Sequence, residues 1–424
     1  MPIENIKAPM KKNILLISGN YFPEPTGIGK YNNEMMIWLA DYGFNCTVIS
    51  TYPYYPFWQV QPPYTKKRKW FSKEILTTPA GNKITIYRCP HYVPLNPKGK
   101  NRIFLDLSFF SSVSLKLIRL TGKKFDYIIN VTPPLSLGLL AALYKKVCHA
   151  KFLYHIQDMQ VDVANDLKMI SSMRFLSLLF KIEKYILKEA DKISTISPDM
   201  VERIKSKSGK PAYLFPNWVN TKLFFPLPDK KSLKVSFGFK PDTPIVLYSG
   251  SIGEKQGLDA VLEIANNFQQ RNIEIQFIIC GSGPYKNTLE KLALEKQLTN
   301  LSFLPLQPAE KLNDFLNMAD VHLVMQKANV AHHVMPSKLT TILSVGGLAI
   351  ITANVGSGLY KMVTDSNIGL ISPAENIVAL SELIELVLQK DYTNICINAR
   401  KYAEEFLAID KIMTRYTEEV ITPT

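Results

Sequence analysis

Apolar residues fall into short blocks along the chain, and the blocks follow two rhythms. "NILLIS" (13–18), "CTVIS" (46–50), "ITIYRC" (84–89), "YIINV" (127–131), "FLYHI" (152–156) and "KISTIS" (192–197) are strand-length and mostly β-branched or aromatic, so they predict strands. Between several of them apolar positions recur at helical spacing. In "KYNNEMMIWLADYG", Met35, Met36, Leu39 and Ala40 lie near one face, and "FLSLLFKIEKYILKEA" (175–190) has the same period. "AYLFPNWVN" (212–220) reads as a strand running into a turn, after which Pro226, Pro228, Pro241 and Pro244 break the rhythm. It restarts at "IVLYSG" (245–250) and continues through "IQFIICG" (275–281), "LSFLP" (301–305), "VHLVM" (321–325) and "LAIIT" (348–352). Helical patterns fit 258–270, 285–297, 309–318, 337–346, 376–390 and 394–407. Such alternation implies an α/β chain of two doubly wound parallel-sheet domains. The expected bounds are 1–215 and 245–405, with a linker at 216–244 and a C-terminal helix in 406–424 that can cross back to the first domain. Ligands of open parallel sheets sit beyond the carboxyl ends of the strands, so two facing domains are expected to share a cleft.

A chain of 424 residues is too long for one ordinary core, in line with two domains, and 46% hydrophobic with 20% charged residues describes a globular protein. Cys46, Cys89, Cys148, Cys280 and Cys396 have no paired spacing and read as reduced thiols of a cytoplasmic protein. The longest apolar stretch, "IFLDLSFFSSVSLKLI" (103–118), is broken by Asp106 and Lys116, so no membrane-spanning helix is expected. The net charge of +14 is unevenly spread. Residues 1–215 hold 31 Lys and Arg against 15 Asp and Glu, residues 216–424 hold 19 against 21, and 51–124 alone hold 14 against 2. A basic first half suits an anionic surface, and a solvated face that aids solubility is the plain alternative. Helix-turn-helix, zinc-finger and RRM signatures are missing, which sets nucleic acid aside.

Several loops after strands can carry chemistry. "GIGK" (27–30) opens a helix whose backbone N–H groups can meet an anion, although Gly27 and Gly29 also suit a plain tight turn, and Asn32 breaks the dinucleotide fingerprint. "YSGSIGEKQGL" (248–258) places Gly250, Gly253 and Gly257 around Lys255, where a phosphate or only solvent can meet the lysine. "CGSGP" (280–284) sets Gly281 and Gly283 before another helix. In "VMPSKLTTILSVGG" (334–347), Pro336 suits the first helical position. A lysine at 338 is poorly placed for the helix dipole unless an anion lies between them. "HIQD" ends a strand, so His155 and Asp158 are expected to face a cleft, with a packed histidine and a capping aspartate as the bland reading. There is no Asp-x-Asp pair, and the six histidines lack metal-ligand spacing, so no metal is expected. "YPYYPFW" (52–58), "KKRKW" (66–70) and residues 100–124 mix aromatics with bases as an interfacial surface does, though a buried helix explains the last of these as well.

In this order the segments resemble the retaining GT-B glycosyltransferases of family 4, over nearly the whole chain. "YFPEPTGIGKYNNEM", "TYPYYPFWQV", "LYHIQDMQVD", "STIS", "FPNW", "YSGSIGEKQGL" and "MPSKLTTILSVGG" look like the bacterial colanic-acid-type fucosyltransferase subfamily. The resemblance implies a GT-B fold and a metal-independent hexosyltransferase. It would move L-fucose from GDP-fucose to a lipid-linked saccharide in capsular or exopolysaccharide assembly, peripherally on the cytoplasmic face of the inner membrane. It implies donor-binding roles for Gly27, Gly29, Gly250, Ser251, Gly253, Lys255, Gly281, Gly283, Pro336, Ser337, Lys338 and Thr341. Catalytic roles fall on His155, Asp158 and Lys255, and Lys66, Lys67, Arg68 and Lys69 would meet the acceptor or the membrane. Three positions depart from the pattern: Ser251 replaces an arginine, and His333 and Thr341 replace a glutamate pair whose second member binds ribose. Two other readings compete, a GT-B-shaped sugar-nucleotide epimerase and a non-catalytic membrane-associated assembly partner.

Overall fold

A computed structural model describes residues 12–24, 27–95, 99–166, 172–328 and 336–422. The apolar blocks become the strands of two separate sheets. The first holds β1 (Asn13–Ser18), β2 (Asn45–Thr51), β3 (Ser72–Thr77), β4 (Lys83–Cys89), β5 (Tyr127–Thr132), β6 (Lys151–Ile156), β7 (Lys192–Thr195) and β8 (Ala212–Leu214). Their order across the sheet is β3-β4-β2-β1-β5-β6-β7-β8. The second holds β9 (Ile245–Ser251), β10 (Gln276–Ser282), β11 (Leu301–Leu304), β12 (Val321–Val324), β13 (Ala349–Thr352) and β14 (Leu370–Ser372), in the order β11-β10-β9-β12-β13-β14. Every pairing is parallel except β3 with β4. That exception corrects the expectation of a wholly parallel sheet. The link from Thr77 to Lys83 is a tight turn, closed by Thr78 N–H donating to the Asn82 carbonyl at 2.8 Å, and so short a link permits only an antiparallel partner.

Each sheet buries both faces, as a parallel sheet must. Along β9 the side chains alternate: Ile245 and Leu247 pack with Ile278, Phe315, Leu339 and Leu343, whereas Val246 and Tyr248 pack with Leu262, Phe268, Phe277 and Ile279. In the first sheet Leu15 and Ile17 join Ile49, Phe109, Val113 and Phe152.

The chain divides into two units, one of residues up to Pro216 together with Met413 onward, the other Asn217–Ile412. Of the stretch 216–244, expected as a linker, all but Pro216 is built into the second unit. Asn313 and Asn317 accept the backbone N–H groups of Phe225 and Leu227 at 3.0 and 2.8 Å. A helix, Lys230–Ser236, follows, and the buried Lys234 ammonium meets Asp320 at 2.7 Å. The end of the chain belongs to the first unit, where Tyr416 stacks on Phe215 with ring centroids 3.7 Å apart.

Candidate functional site

Half of the predicted donor residues sit where β9 and β10 end. Pairing of these strands continues through Gly250 with Gly281 to Ser251 with Ser282, and Ile252 N–H then donates to the Ser282 carbonyl at 2.9 Å. The chains run so close that a methyl group on Gly281 would overlap the Gly250 carbonyl oxygen, and one on Gly283 would overlap that of Ile252. These two glycines are therefore required by the protein's own backbone, whatever ligand arrives.

Gly250 serves a different purpose from the one its loop suggests. A Cβ there would lie 2.9 Å from both Cε and Nζ of Lys338, so the open space receives a lysine side chain. Lys338 stands in the first turn of the helix Ser337–Ser344, after Pro336 in its extended N-cap conformation. Its stem reaches the surface, but its Nζ is buried, has no hydrogen-bond partner among the described residues, and rests 3.6 Å from the centroid of the Tyr248 ring. Burial pulls the ammonium down to about 7. The Tyr248 hydroxyl donates to the Ser251 carbonyl at 2.6 Å, which fixes the ring under the lysine. Among the described residues this buried ammonium has only an aromatic face beside it and no anion. Thr341 lies one turn further along the same helix, half-buried; His333 lies outside the described residues.

Lys255 is exposed in a one-turn helix, Glu254–Gln256. Its turn is well anchored. Gly253 N–H donates to the Gln256 side chain at 3.0 Å, and the Lys255 carbonyl accepts from Lys327 N–H at 3.0 Å, tying the turn to the end of β12. Beside it Gln256, Gly257, Met325, Gln326, Thr352 and Glu375 line a narrow cavity of about 20 Å³. Lys327 and Glu375 carry no motif, and Tyr248, though it opens the stretch 248–258, drew no role from it; the pattern of apolar and polar positions gave no sign of their placement.

In the first unit, Gly27 caps the helix Ile28–Asp41 with φ 63°. A Cβ at Gly29 would lie 2.9 Å from Glu24 Cβ, so here too the space is filled from within the chain. The buried Glu24 carboxylate accepts the N–H groups of Tyr54 and Tyr55, both at 3.0 Å, and the Asn20 amide at 2.8 Å. Burial nevertheless raises its pKa. Asn32, which breaks the dinucleotide fingerprint, donates to Ser18 Oγ at 2.7 Å and to the Asn20 carbonyl at 2.9 Å.

His155 lies next to the end of β6 and its ring is buried, as the packed-histidine reading has it. Its Nε2 is 2.9 Å from the Gln157 amide nitrogen and its Nδ1 3.0 Å from Ser194 Oγ. The amide donates to Nε2, so the ring proton sits on Nδ1 and is donated to serine. Burial holds the imidazole at about 3. Phe215 meets it edge-on at 5.0 Å, and the Tyr416 hydroxyl lies 3.2 Å from Ser194 Oγ. Asp158 is half-buried in the turn between β6 and the helix Gln160–Asp166. Lys66, Lys67, Arg68 and Lys69 form an exposed turn, whereas Tyr52 and Tyr54, expected on an interfacial surface, are core residues. No group of three or more His, Cys, Asp or Glu among the described residues is placed to hold a metal ion.

Residues 229–406 match the family described as Glycosyl transferases group 1. WcaI of Escherichia coli (strain K12), named for a glycosyl transferase role in colanic acid biosynthesis, is 36% identical over 415 residues, covering 96% of this chain and 99% of its own. A GDP-mannose-dependent monoacylated alpha-(1-6)-phosphatidylinositol monomannoside mannosyltransferase of Corynebacterium glutamicum is 25% identical over 211 residues, 46% of this chain and 52% of its own. Among solved structures, sucrose-phosphate synthase of Thermosynechococcus elongatus superposes with a TM-score of 0.73 at 17% identity, covering 96% of this chain and 98% of its own. Two parallel-sheet units, glycine-lined strand ends and a full-length relative agree: the chain belongs to the group 1 glycosyl transferases and is a glycosyltransferase of the GT-B fold.

Proposed function

We propose that this glycosyltransferase moves a hexose, L-fucose from GDP-fucose, onto a lipid-linked saccharide during capsular or exopolysaccharide assembly. The reaction retains the anomeric configuration, needs no resident metal, and takes place at the cytoplasmic face of the inner membrane. The observation that carries the donor reading is the buried Lys338 ammonium beside Gly250, which has no hydrogen-bond partner among the described residues. A sugar-nucleotide diphosphate supplies the missing anion. As the bond from the anomeric carbon to the phosphate lengthens, negative charge grows on the leaving oxygen, and cations fixed beforehand stabilise it. Lys338 does this from within, and Lys255 reaches in from its anchored turn. Thr341 takes over the ribose contact as a neutral hydroxyl. Asp158 accepts the acceptor's proton. His155 is neutral and bonded on both sides, so it fixes the strand end that carries Gln157 and Asp158 and exchanges no proton itself.

WcaI supports the polysaccharide assignment, and the mannosyltransferase supports a guanosine donor and a lipid acceptor. A thermal-shift series with GDP, UDP, ADP and dTDP tests the base, since a ligand that binds only the folded state raises its melting point. Transfer from GDP-fucose to a lipid-linked acceptor, with the product anomer read by NMR with and without EDTA, tests the rest. A larger shift with UDP overturns the guanosine donor, product without acceptor favours the epimerase, and failure to bind any nucleotide favours the assembly partner.

A further inference from the structure

Three residues shortly after β12, Gln326, Lys327 and Ala328, belong to no helix or strand, yet their backbone is gripped from three directions. Gln326 N–H donates to Thr352 Oγ1 at 2.8 Å, and the same hydroxyl donates back to the Gln326 carbonyl at 3.0 Å. Lys327 N–H donates to the Lys255 carbonyl at 3.0 Å. Ala328 N–H donates to Glu375 Oε2 at 3.0 Å, and the Ala328 carbonyl accepts from the Asn354 amide at 2.9 Å. These partners stand at the ends of other strands: Lys255 after β9, Thr352 and Asn354 at and after the end of β13, Glu375 after β14. Backbone in a surface loop ordinarily turns many of its polar groups to water. Here groups from the neighbouring strand ends take them, so 326–328 is a strap with a fixed path.

The strap ends on the turn that carries Lys255. Among the described residues the other hydrogen bonds of that turn are local: Gln256 N–H donates to the Gly253 carbonyl and Gly257 N–H to the Glu254 carbonyl, both at 3.2 Å. A single 3₁₀ turn has little stability of its own. The bond from Lys327 is therefore the one that ties the Lys255 backbone to a neighbouring strand end. At the far side of the strap, Glu375 is an unusual residue for its position. Its φ is 61°, a left-handed conformation that suits glycine or asparagine and strains a glutamate. The helix that follows, Ile377–Val387, does not need the side chain, because Asn376 caps it by accepting Ala379 N–H at 3.0 Å. Nor does a core need it, since Glu375 is exposed. What the carboxylate does is hold Ala328. Strained residues persist where their surroundings fix them, and they gather at functional sites.

We propose that Glu375 is a positioning residue for the transfer reaction: its grip on Ala328 holds the strap 326–328, and the strap sets Lys255 against the leaving phosphate of the donor. A cation stabilises a developing charge best when it is in place before the charge appears, and a misplacement of about 1 Å can lower a rate by about a hundredfold. Lys255 is exposed on a turn of three residues, so its placement depends on what holds that turn from outside. Glu375 touches neither sugar nor phosphate in this scheme and acts only through the strap. The inference rests on the reading of Lys255 as the cation at the leaving group and names what keeps it there.

The test is Glu375→Gly in the full chain, which removes the carboxylate and relieves the strain together. The expected result is a kcat about tenfold lower on GDP-fucose and a lipid-linked acceptor, with a GDP-fucose dissociation constant within about twofold of wild type. The melting point should be no lower than wild type, because glycine adopts a positive φ freely. Glu375→Gln keeps an oxygen that can accept the Ala328 N–H and should restore most of the lost turnover. In a Lys255→Ala background Glu375→Gly should lower kcat no further, since both changes act on one group. Deuterium exchange gives a readout that needs no acceptor: Glu375→Gly should speed exchange in residues 253–258 as well as in 321–328. Wild-type kcat or unaltered exchange of 253–258 in Glu375→Gly, no rescue by glutamine, or an equal loss in the Lys255→Ala background overturns the inference. So does a loss of turnover that comes with a lower melting point, which marks a merely structural residue. Lys255→Ala with wild-type turnover overturns the reading of Lys255 and this inference with it. A large loss in Lys255→Ala beside a silent Glu375→Gly overturns this inference alone.

Discussion

A donor diphosphate set against Lys338, as proposed above, should bind in a pH-dependent way. In the free protein the lysine ammonium is buried over Tyr248 and held at about 7. A diphosphate beside it favours the charged form and restores the pKa toward its ordinary value. The donor therefore selects the protonated lysine, and its apparent dissociation constant is the intrinsic one divided by the protonated fraction. That fraction is about three-quarters at about pH 6.5 and about 3% at about pH 8.5, so binding should weaken roughly 25-fold across this range. GDP-fucose is the right probe because each phosphate of a diphosphate diester keeps one charge throughout. Calorimetry in buffers of different ionisation enthalpy should show uptake of about half a proton near pH 7. Lys338→Met keeps the stem but loses the charge. It should lose about 1.5–3 kcal/mol of donor affinity, the worth of a hydrogen bond to a charged group, and should flatten the pH dependence. The same substitution should stabilise the free protein, because a lysine with a depressed folded pKa costs stability wherever the folded state must protonate it. The cost is about 1.4 kcal/mol per unit of depression, so at most about 5 kcal/mol below pH 7, and it fades as pH rises from 7 toward 10.5. A wild-type dissociation constant that is flat from pH 6.5 to 8.5, or a slope that survives in Lys338→Met, would refute the assignment.

Lys255→Ala should lower kcat by roughly two to three powers of ten with an unchanged melting curve, because the side chain is exposed and its turn is held by backbone contacts; steady-state kinetics decide this, and unchanged turnover dismisses the role. Gly281→Ala and Gly250→Ala should fail differently. Both stand at positive φ, 150° for Gly281 and 149° for Gly250, so either alanine strains the backbone. The first also forces apart two backbones and should cost about 3 kcal/mol or more in urea unfolding, whereas the second meets the movable end of Lys338, should cost less stability, and should in addition weaken GDP-fucose binding. Equal effects on stability and binding in the two variants would contradict that division. Tyr416→Ala removes the ring stacked on Phe215 and should destabilise the first unit by about 3 kcal/mol, measured by the same unfolding assay.

Strands were legible wherever both faces of the sheet are covered, because such segments read as unbroken apolar runs. β3 was not. "SKEILT" alternates half-buried and exposed residues at the sheet's antiparallel edge, and its charges hid it. The helix Leu135–Cys148 was missed for the opposite reason, since "LSLGLLAALY" is apolar on nearly every side and shows no period. The proline-rich stretch 216–244 read as a linker because its partners are side-chain amides, Asn313 and Asn317, which leave no periodic trace in the segment they hold. At the site, the loops and their order were legible, and the neighbours of each glycine were not. Spacing showed that Gly29, Gly250 and Gly281 make room. Only the folded chain shows that the room is taken by Glu24, by Lys338 and by the Gly250 carbonyl.

The return of the last residues to the first unit bears on how the protein is made. Residues up to Pro216 leave the ribosome early, but Phe215 waits for Tyr416, and the buried Val420 and Ile421 come later still. The second unit, wholly encoded in between, can fold before the first is complete. During synthesis the nascent first unit therefore carries an uncovered aromatic patch next to His155 for the time taken to translate about two hundred residues, on the order of ten to forty seconds. A chain stopped just short of Tyr416 would leave that patch uncovered.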